Sequence, residues 1–264
     1  MKKLSVKFFF LLLISVQVLA QTTVVRSQNV ALQAPAQASA KVFLPKSSEK
    51  IETKKIAPEG VNINILPFFG DFEKNEIQKN QDEEFLKSCD LNFASRTEAS
   101  QFFAARAWEY LTESQVDTAT HRFNLTWLLN DKNVDSYWGL GVIAFQQGDL
   151  HNAMKFLEHG HAIDDKNITL TVDLATVRIQ CFLKDKEPKD MEEANSLLEN
   201  ALTIEPNFAN AYMKLSLAQL VQGDFNKAWV YFHKGYDIDK NSLDIDLLTA
   251  LMEKFDDPKG MFRK

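Results

Sequence analysis

The stretch YWGLGVIAFQQGDLHNAMKFLEHG, Tyr137 to Gly160, returns 75 positions later as YMKLSLAQLVQGDFNKAWVYFHKG, Tyr212 to Gly235. Tyr137, Leu140, Gly141, Gly148, Ala153, Leu157 and Gly160 fall on Tyr212, Leu215, Ser216, Gly223, Ala228, Phe232 and Gly235, so large residues meet large and small meet small. The spacing predicts two helices in each copy, joined at the QGD of residues 147–149 and 222–224. Small side chains let two antiparallel helices approach, and the large ones fill the space between them. Gly160 and Gly235 fall inside helical runs, where glycine costs about 1 kcal/mol relative to alanine. A close contact, most naturally with the next unit, must offset that. A chain built of such pairs has to stack them, because each pair leaves an apolar face for its neighbour to cover.

Two further segments carry the pattern. Phe103, Ala107, Tyr110, Ala119 and Phe123 place it in residues 100–133, and Leu174, Ala175, Ala194, Leu198, Ala201 and Pro206 place it in residues 168–208. The latter unit is longer, with the surplus in the charged stretch KDKEPKD, Lys184 to Asp190, and Thr171 is its weakest match. The spacing resembles the tetratricopeptide repeat, a helix–turn–helix unit of about 34 residues. The units are then 100–133, 134–167, 168–208 and 209–242, just over half of the chain. An amphipathic stretch over 243–256, with Leu247, Leu248, Leu251, Met252 and Phe255 on one face, reads as a capping helix. The resemblance implies an all-α fold: a right-handed superhelical stack of helix–turn–helix repeats with an N-terminal helix and a C-terminal capping helix. It also implies a concave groove lined by the first helix of each unit. Carried over position by position, that groove contains Trp108, Trp138, Val142, Phe145, Thr176, Ile179, Met213, Leu217 and Leu220. Family members that grip a peptide carboxylate use Lys, Arg and Asn at such positions, and this chain has none of them there.

The sequence before the repeats divides into three parts. Residues 1–20 have a bacterial-type export signal's form: Lys2, Lys3 and Lys7, the apolar run Phe8 to Val16, then Val18 and Ala20 before a cut at Ala20–Gln21. The apolar run falls short of the ~20 residues a membrane span needs. Residues 21–60, low in aromatics and rich in Gln, Ala, Ser and Lys, read as a disordered linker. Residues 61–99 hold the apolar segment VNINILPFFGDF, Val61 to Phe72, and a charged helix with Ile77, Phe85 and Leu86 on its apolar edge. So apolar a segment must bury itself. Either it lies in the protein's own groove, favoured by its tether, or the groove takes an apolar segment of another protein.

Composition narrows the function. The formal charge is −6, and removing residues 1–20 takes away three lysines and no acids, leaving −9. Such a surface repels phosphate backbones, so nucleic acid is not expected as a partner. No phosphate-binding, nucleophile-elbow or zinc-protease motif occurs. His159 and His161, two apart on a helix, point to different faces and do not form a metal pair. His233 reads as a surface residue near a helix end, and Asp256-Asp257 as terminal acids. Asn124-Leu125-Thr126 and Asn167-Ile168-Thr169 match a glycosylation sequon by chance. Cys89 and Cys181 are open to pairing or to separate burial. No catalytic residue, cofactor or metal is assigned, and no enzyme is expected. The expectation is a periplasmic or secreted scaffold or adaptor that binds other proteins or peptides through an apolar groove, with no membrane span after signal cleavage. The alternative is a binding module for an extended hydrophobic peptide or acyl-type ligand.

Overall fold

The computed structural model describes residues 55–262; the predicted signal and residues 21–54 of the predicted linker lie outside the described residues. Eight of the helices make four antiparallel pairs: α2 (Arg96–Thr112) with α3 (Val116–Leu129), α4 (Val134–Gln146) with α5 (Leu150–Ile163), α6 (Ile168–Asp185) with α7 (Pro188–Ile204), and α8 (Ala209–Gln222) with α9 (Phe225–Ile238). They follow α1 (Glu76–Asn92) and precede α10 (Ile245–Lys254). Each second helix packs on the next first helix, α3 on α4, α5 on α6 and α7 on α8. Successive first helices touch one another, which makes them the inner layer and α3, α5, α7 and α9 the outer one.

The repeated residues account for this geometry. In QGD, Gly148 and Gly223 take the left-handed conformation that ends the first helix, at φ 79° and 84°. Asp149 and Asp224 then cap the second helix, accepting the N–H of Asn152 and Lys227. Ala153 and Ala228 are fully buried where the paired helices close. Tyr137 donates its hydroxyl to the Asp131 carbonyl at 2.9 Å, and Tyr212 does the same to Pro206 at 3.1 Å. A β-carbon on Gly160 would meet the Tyr137 β-carbon at 3.3 Å, and one on Gly235 would meet that of Tyr212 at 3.3 Å. For Gly160 the next unit also presses in, with Leu170 at 2.9 Å. For Gly235 the expected neighbour is replaced by the pair's own α8, with the Ala209 carbonyl at 3.0 Å. Where the second unit has Gly141 the fourth has Ser216, whose hydroxyl donates to the Ala228 carbonyl at 2.8 Å.

The surplus of the third unit lengthens both of its helices. α6 ends with Lys186 in a left-handed cap, and Pro188 starts α7. Arg178 ties this region together, reaching Glu158 on α5 and Asp190 and Glu193 on α7. Thr171 is buried, its hydroxyl donating to the Asn167 carbonyl. At the start of α2, Ser95 caps the helix by accepting the Glu98 N–H. The Glu98 carboxylate reaches the N–H of Ala94 rather than of Ser95.

The N-terminal segment departs from an all-helical description. Lys55–Ile56 (β1) and Phe72–Glu73 (β2) form a two-residue parallel pair, Lys55 facing Phe72 and Ile56 facing Glu73. Residues 55–60, read from the sequence as linker, thus help to close a loop. Between the two short strands runs a strap: a tight helical turn at Ile63–Ile65, an extended Leu66, and a turn over Pro67–Asp71. Phe68, Phe69, Gly70 and Asp71 are all left-handed, at φ 51°, 57°, 69° and 55°. The strap is buried at Ile63 and Phe69 and lies against α3. It therefore packs on its own chain, as one of the two expectations had it, but on the outer helices and not in the groove of first helices. After α10, the tail turns back at Asp257. That carboxylate accepts the N–H groups of Lys259, Met261 and Phe262.

Candidate functional site

The nine residues placed on the first-helix face divide into two sets. Val142, Thr176, Ile179 and Met213 are buried and form part of the helix packing. Trp108, Trp138, Phe145, Leu217 and Leu220 are half-buried and offer surface. The two tryptophans meet edge to face at 4.8 Å, and Trp108 packs edge to face on the buried Phe123 at 5.1 Å. Each indole N–H donates to a carboxylate on the next unit: Trp108 to Asp135 at 2.9 Å, and Trp138 to Asp173 at 2.7 Å. The result is a ladder from α2 through α4 to α6 in which apolar rings alternate with carboxylates.

The sequence did not single out Asp135 and Asp173, and they change the character of the face. Burial pushes the Asp173 carboxyl up to about 6, against the opposing pull of the Trp138 N–H and the Lys214 ammonium. Burial also raises Asp135, with the Trp108 N–H opposing. In its ionised form Asp173 is a desolvated negative charge, which a cationic group placed nearby would stabilise. The signal was present in the sequence as acids within first helices, Asp135 three residues before Trp138.

Two clefts lie elsewhere, on the outer side. One, of about 460 Å³, is lined by Trp229, His233, Lys234, Asp237, Pro258 and Lys259. The other, of about 240 Å³, is lined by Glu158, His161, Leu174, Arg178, Glu193 and Leu197. His159 and His161 do diverge: His159 stacks on Tyr137 at 4.3 Å, and His161 Nδ1 lies 3.1 Å from the Thr171 hydroxyl. Cys89 and Cys181 are free thiols, and Cys89 is buried. Among the described residues no group of three or more His, Cys, Asp or Glu is placed to hold a metal ion. Among them also, no helix is long and apolar enough to cross a membrane.

Two expectations are corrected. His233 is not a surface residue: it is buried against Trp229, with Nε2 2.9 Å from a carboxylate oxygen of Asp257. Asp257 is not a free terminal acid, since its side chain is fully buried and organises the tail. Asn124, read from the sequence only as a chance sequon match, has a structural role. It is fully buried, accepting the N–H of Phe68 at 2.8 Å and donating to the carbonyls of Asn64 at 2.9 Å and Leu66 at 2.8 Å.

With this geometry in hand, the comparisons with known proteins can be read. The sequence model of the tetratricopeptide repeat matches residues 134–167, the α4–α5 unit. No curated protein sequence matches the chain significantly. Among solved structures, a thermophilic tetratricopeptide-repeat protein of Thermus thermophilus is similar over 58% of this chain and 80% of its own, at 15% identity and a TM-score of 0.51. PilF of Pseudomonas aeruginosa is similar over 64% and 79%, at 18% identity and 0.49. A MamA fragment from Desulfovibrio magneticus covers 61% and 87%, at 18% identity and 0.47. At 15% identity the likeness to the Thermus protein concerns the fold alone.

Proposed function

We propose that this tetratricopeptide-repeat protein is a scaffold that binds a partner protein along its first-helix face, and that it does so after export, in the periplasm or outside the cell. The observation that carries the reading is the Trp108–Asp135 and Trp138–Asp173 ladder. Two half-buried indoles are fixed by polar bonds across successive units, so the face is pre-organised and little side-chain freedom is lost on binding. Aromatic residues at such positions are the side chains that most often carry interface energy. The carboxylates give the face a preference: a partner segment with apolar side chains and a Lys or Arg to set against Asp135 and Asp173. No step of catalysis is assigned to the chain.

The test is co-purification from envelope extract with the full chain, compared with Trp138→Ala. Capture of a protein by the native chain and its loss in the variant supports the scaffold. Equal capture by both, with the variant folded, overturns the assignment of this face. A small apolar ligand retained by the purified protein and lost in the variant would also count against it.

A further inference from the structure

The strap packs on the outer helices, away from the first-helix face. Asn124 uses both ends of its amide on the strap, and every bond goes to main chain: the carbonyls of residues 64 and 66 and the N–H of residue 68. The Phe68 ring enters a notch walled by Trp127 at 5.8 Å, Tyr137 at 5.1 Å and Phe156 at 4.9 Å, residues of α3, α4 and α5. Two of those walls are fixed in place, because the Trp127 N–H donates to the Tyr137 hydroxyl and that hydroxyl to the Asp131 carbonyl. The notch thus specifies two carbonyls two residues apart, an amide two residues further on, and an aromatic ring at that last residue. Of the strap's side chains, the Phe68 ring fills the notch, while Phe69 also meets Trp127 at 6.5 Å and Ile63 is buried too.

The strain in the strap begins at Phe68, the last residue the notch recognises, and most of it lies beyond. Leu66 is in an ordinary extended conformation. The left-handed residues run from Phe68 onward, and three of the four are not glycine. They bend the chain back to Phe72, where it pairs with Lys55. An independent peptide would need the left-handed conformation at the position of Phe68 alone and not over the return to Phe72.

We propose that the notch between α3 and α5 is a peptide-binding site, filled in cis by the strap, that takes from a partner protein a segment made of a tight turn, one extended residue and an aromatic side chain two positions beyond it. Once the strap leaves, the Asn124 amide is open to any segment that offers the same two carbonyls and N–H. Its tether gives the strap a high effective concentration, so a partner competes poorly with the intact loop.

The experiment uses the full chain and a fluorescent synthetic peptide of residues 61–69, VNINILPFF. Phe68→Ala loosens the strap while leaving the walls of the notch untouched. By anisotropy, the peptide is expected to bind the Phe68→Ala chain at least about tenfold more tightly than the wild type. A peptide with alanine in place of its residue-68 phenylalanine is expected not to bind. Equal binding to both chains, with the variant's melting cooperative, overturns the proposal, as does equal binding of the alanine peptide. Should the variant fail to fold, amide exchange on the wild-type chain decides. Peptide in excess is expected to speed exchange at the Phe68 N–H by displacing the strap, and no change overturns the site. Concentration-dependent dimers of the variant without peptide would assign the notch to a second copy and overturn the partner. Trp138→Ala leaves the notch intact, so the two faces fail or survive separately.

Discussion

The first and last helix pairs both close on a segment from beyond the repeats, and they do it from the same place. Asn124 is the ninth residue of α3 and His233 the ninth of α9. Asn124 holds the strap, and His233 sits against the Asp257 that organises the tail. Three residues on, Trp127 packs against Phe68 and Tyr236 against Phe262, at 5.8 and 5.2 Å. The inner pairs carry Glu158 and Glu199 at the matching position, both exposed to solvent. A solenoid has to cover its two ends, and this chain does so by placing a neutral polar residue where the inner units place a charge. The two ends differ in chemistry. Asn124 reads main chain and cannot titrate, whereas the tail depends on an imidazole and a carboxylate.

The largest expected effect concerns Asn124. Asn124→Leu leaves two carbonyls and one N–H of the strap without partners and should cost about 3 kcal/mol, at roughly 1 kcal/mol for each. Urea unfolding of the variant measures it, with Glu199→Leu, at the matching exposed position, expected within about 0.5 kcal/mol of wild type. Equal losses at the two positions would break the comparison between end and inner pairs. Next come Ala153→Leu and Ala228→Leu, which overpack the closing points of the second and fourth pairs. Each should cost about 1–3 kcal/mol. Melting temperatures equal to wild type would contradict the helix pairing.

The smallest effect is on acidity and belongs to the tail. Burial pushes the His233 imidazole down, with Asp257 pulling the other way, and the net value lies below the ordinary 6.5. Burial works against the Asp257 carboxylate, but the N–H groups of Phe262, Lys259 and Met261, together with His233, bring it below 3.8. Both groups are depressed in the folded state, so each contributes stability that is present above its unfolded value and lost as pH falls through its folded one. Lys259 and Asp237 also face His233, the first opposing its protonation and the second favouring it. Exchange of the Phe262 amide, corrected for its intrinsic rate, should quicken as pH drops below about 6.5. His233→Gln should flatten that response. Exchange that slows on acidification would reverse the sign and remove the clamp.

Much of this architecture is legible in the residues because the repeat is a local pattern. QGD carries a left-handed turn and a helix cap within three residues, and Ala153, Ala228, Gly160 and Gly235 mark close approach by size alone. The boundaries of the second unit, 134–167, follow from them and coincide with the matched repeat. The seat of the strap is different in kind. Period and composition show that VNINILPFFGDF must be buried, but which surface receives it depends on where three helices leave a gap. The correction at His233 shares that cause, as does the role of Asn124, which the sequence offered only as a chance sequon. Each is covered by a segment distant in sequence. Comparison of position 124 with 158, 199 and 233 would have given a hint, since the charge is missing only at the two ends. On the first-helix face, the resemblance supplied the direction of nine side chains but not their exposure. Val142, Thr176, Ile179 and Met213 point inward and are covered by the helices around them.

The central claim is that the strap lies on the outer helices and leaves the first-helix face free for a partner. Proton–proton contacts of the Phe68 ring, measured by NMR on the full chain with selectively labelled aromatic residues, test it most directly. The account predicts contacts from Phe68 to Trp127, Tyr137 and Phe156, and none to Trp108 or Trp138. Contacts to Trp108 or Trp138 instead would place the strap in the groove and contradict it.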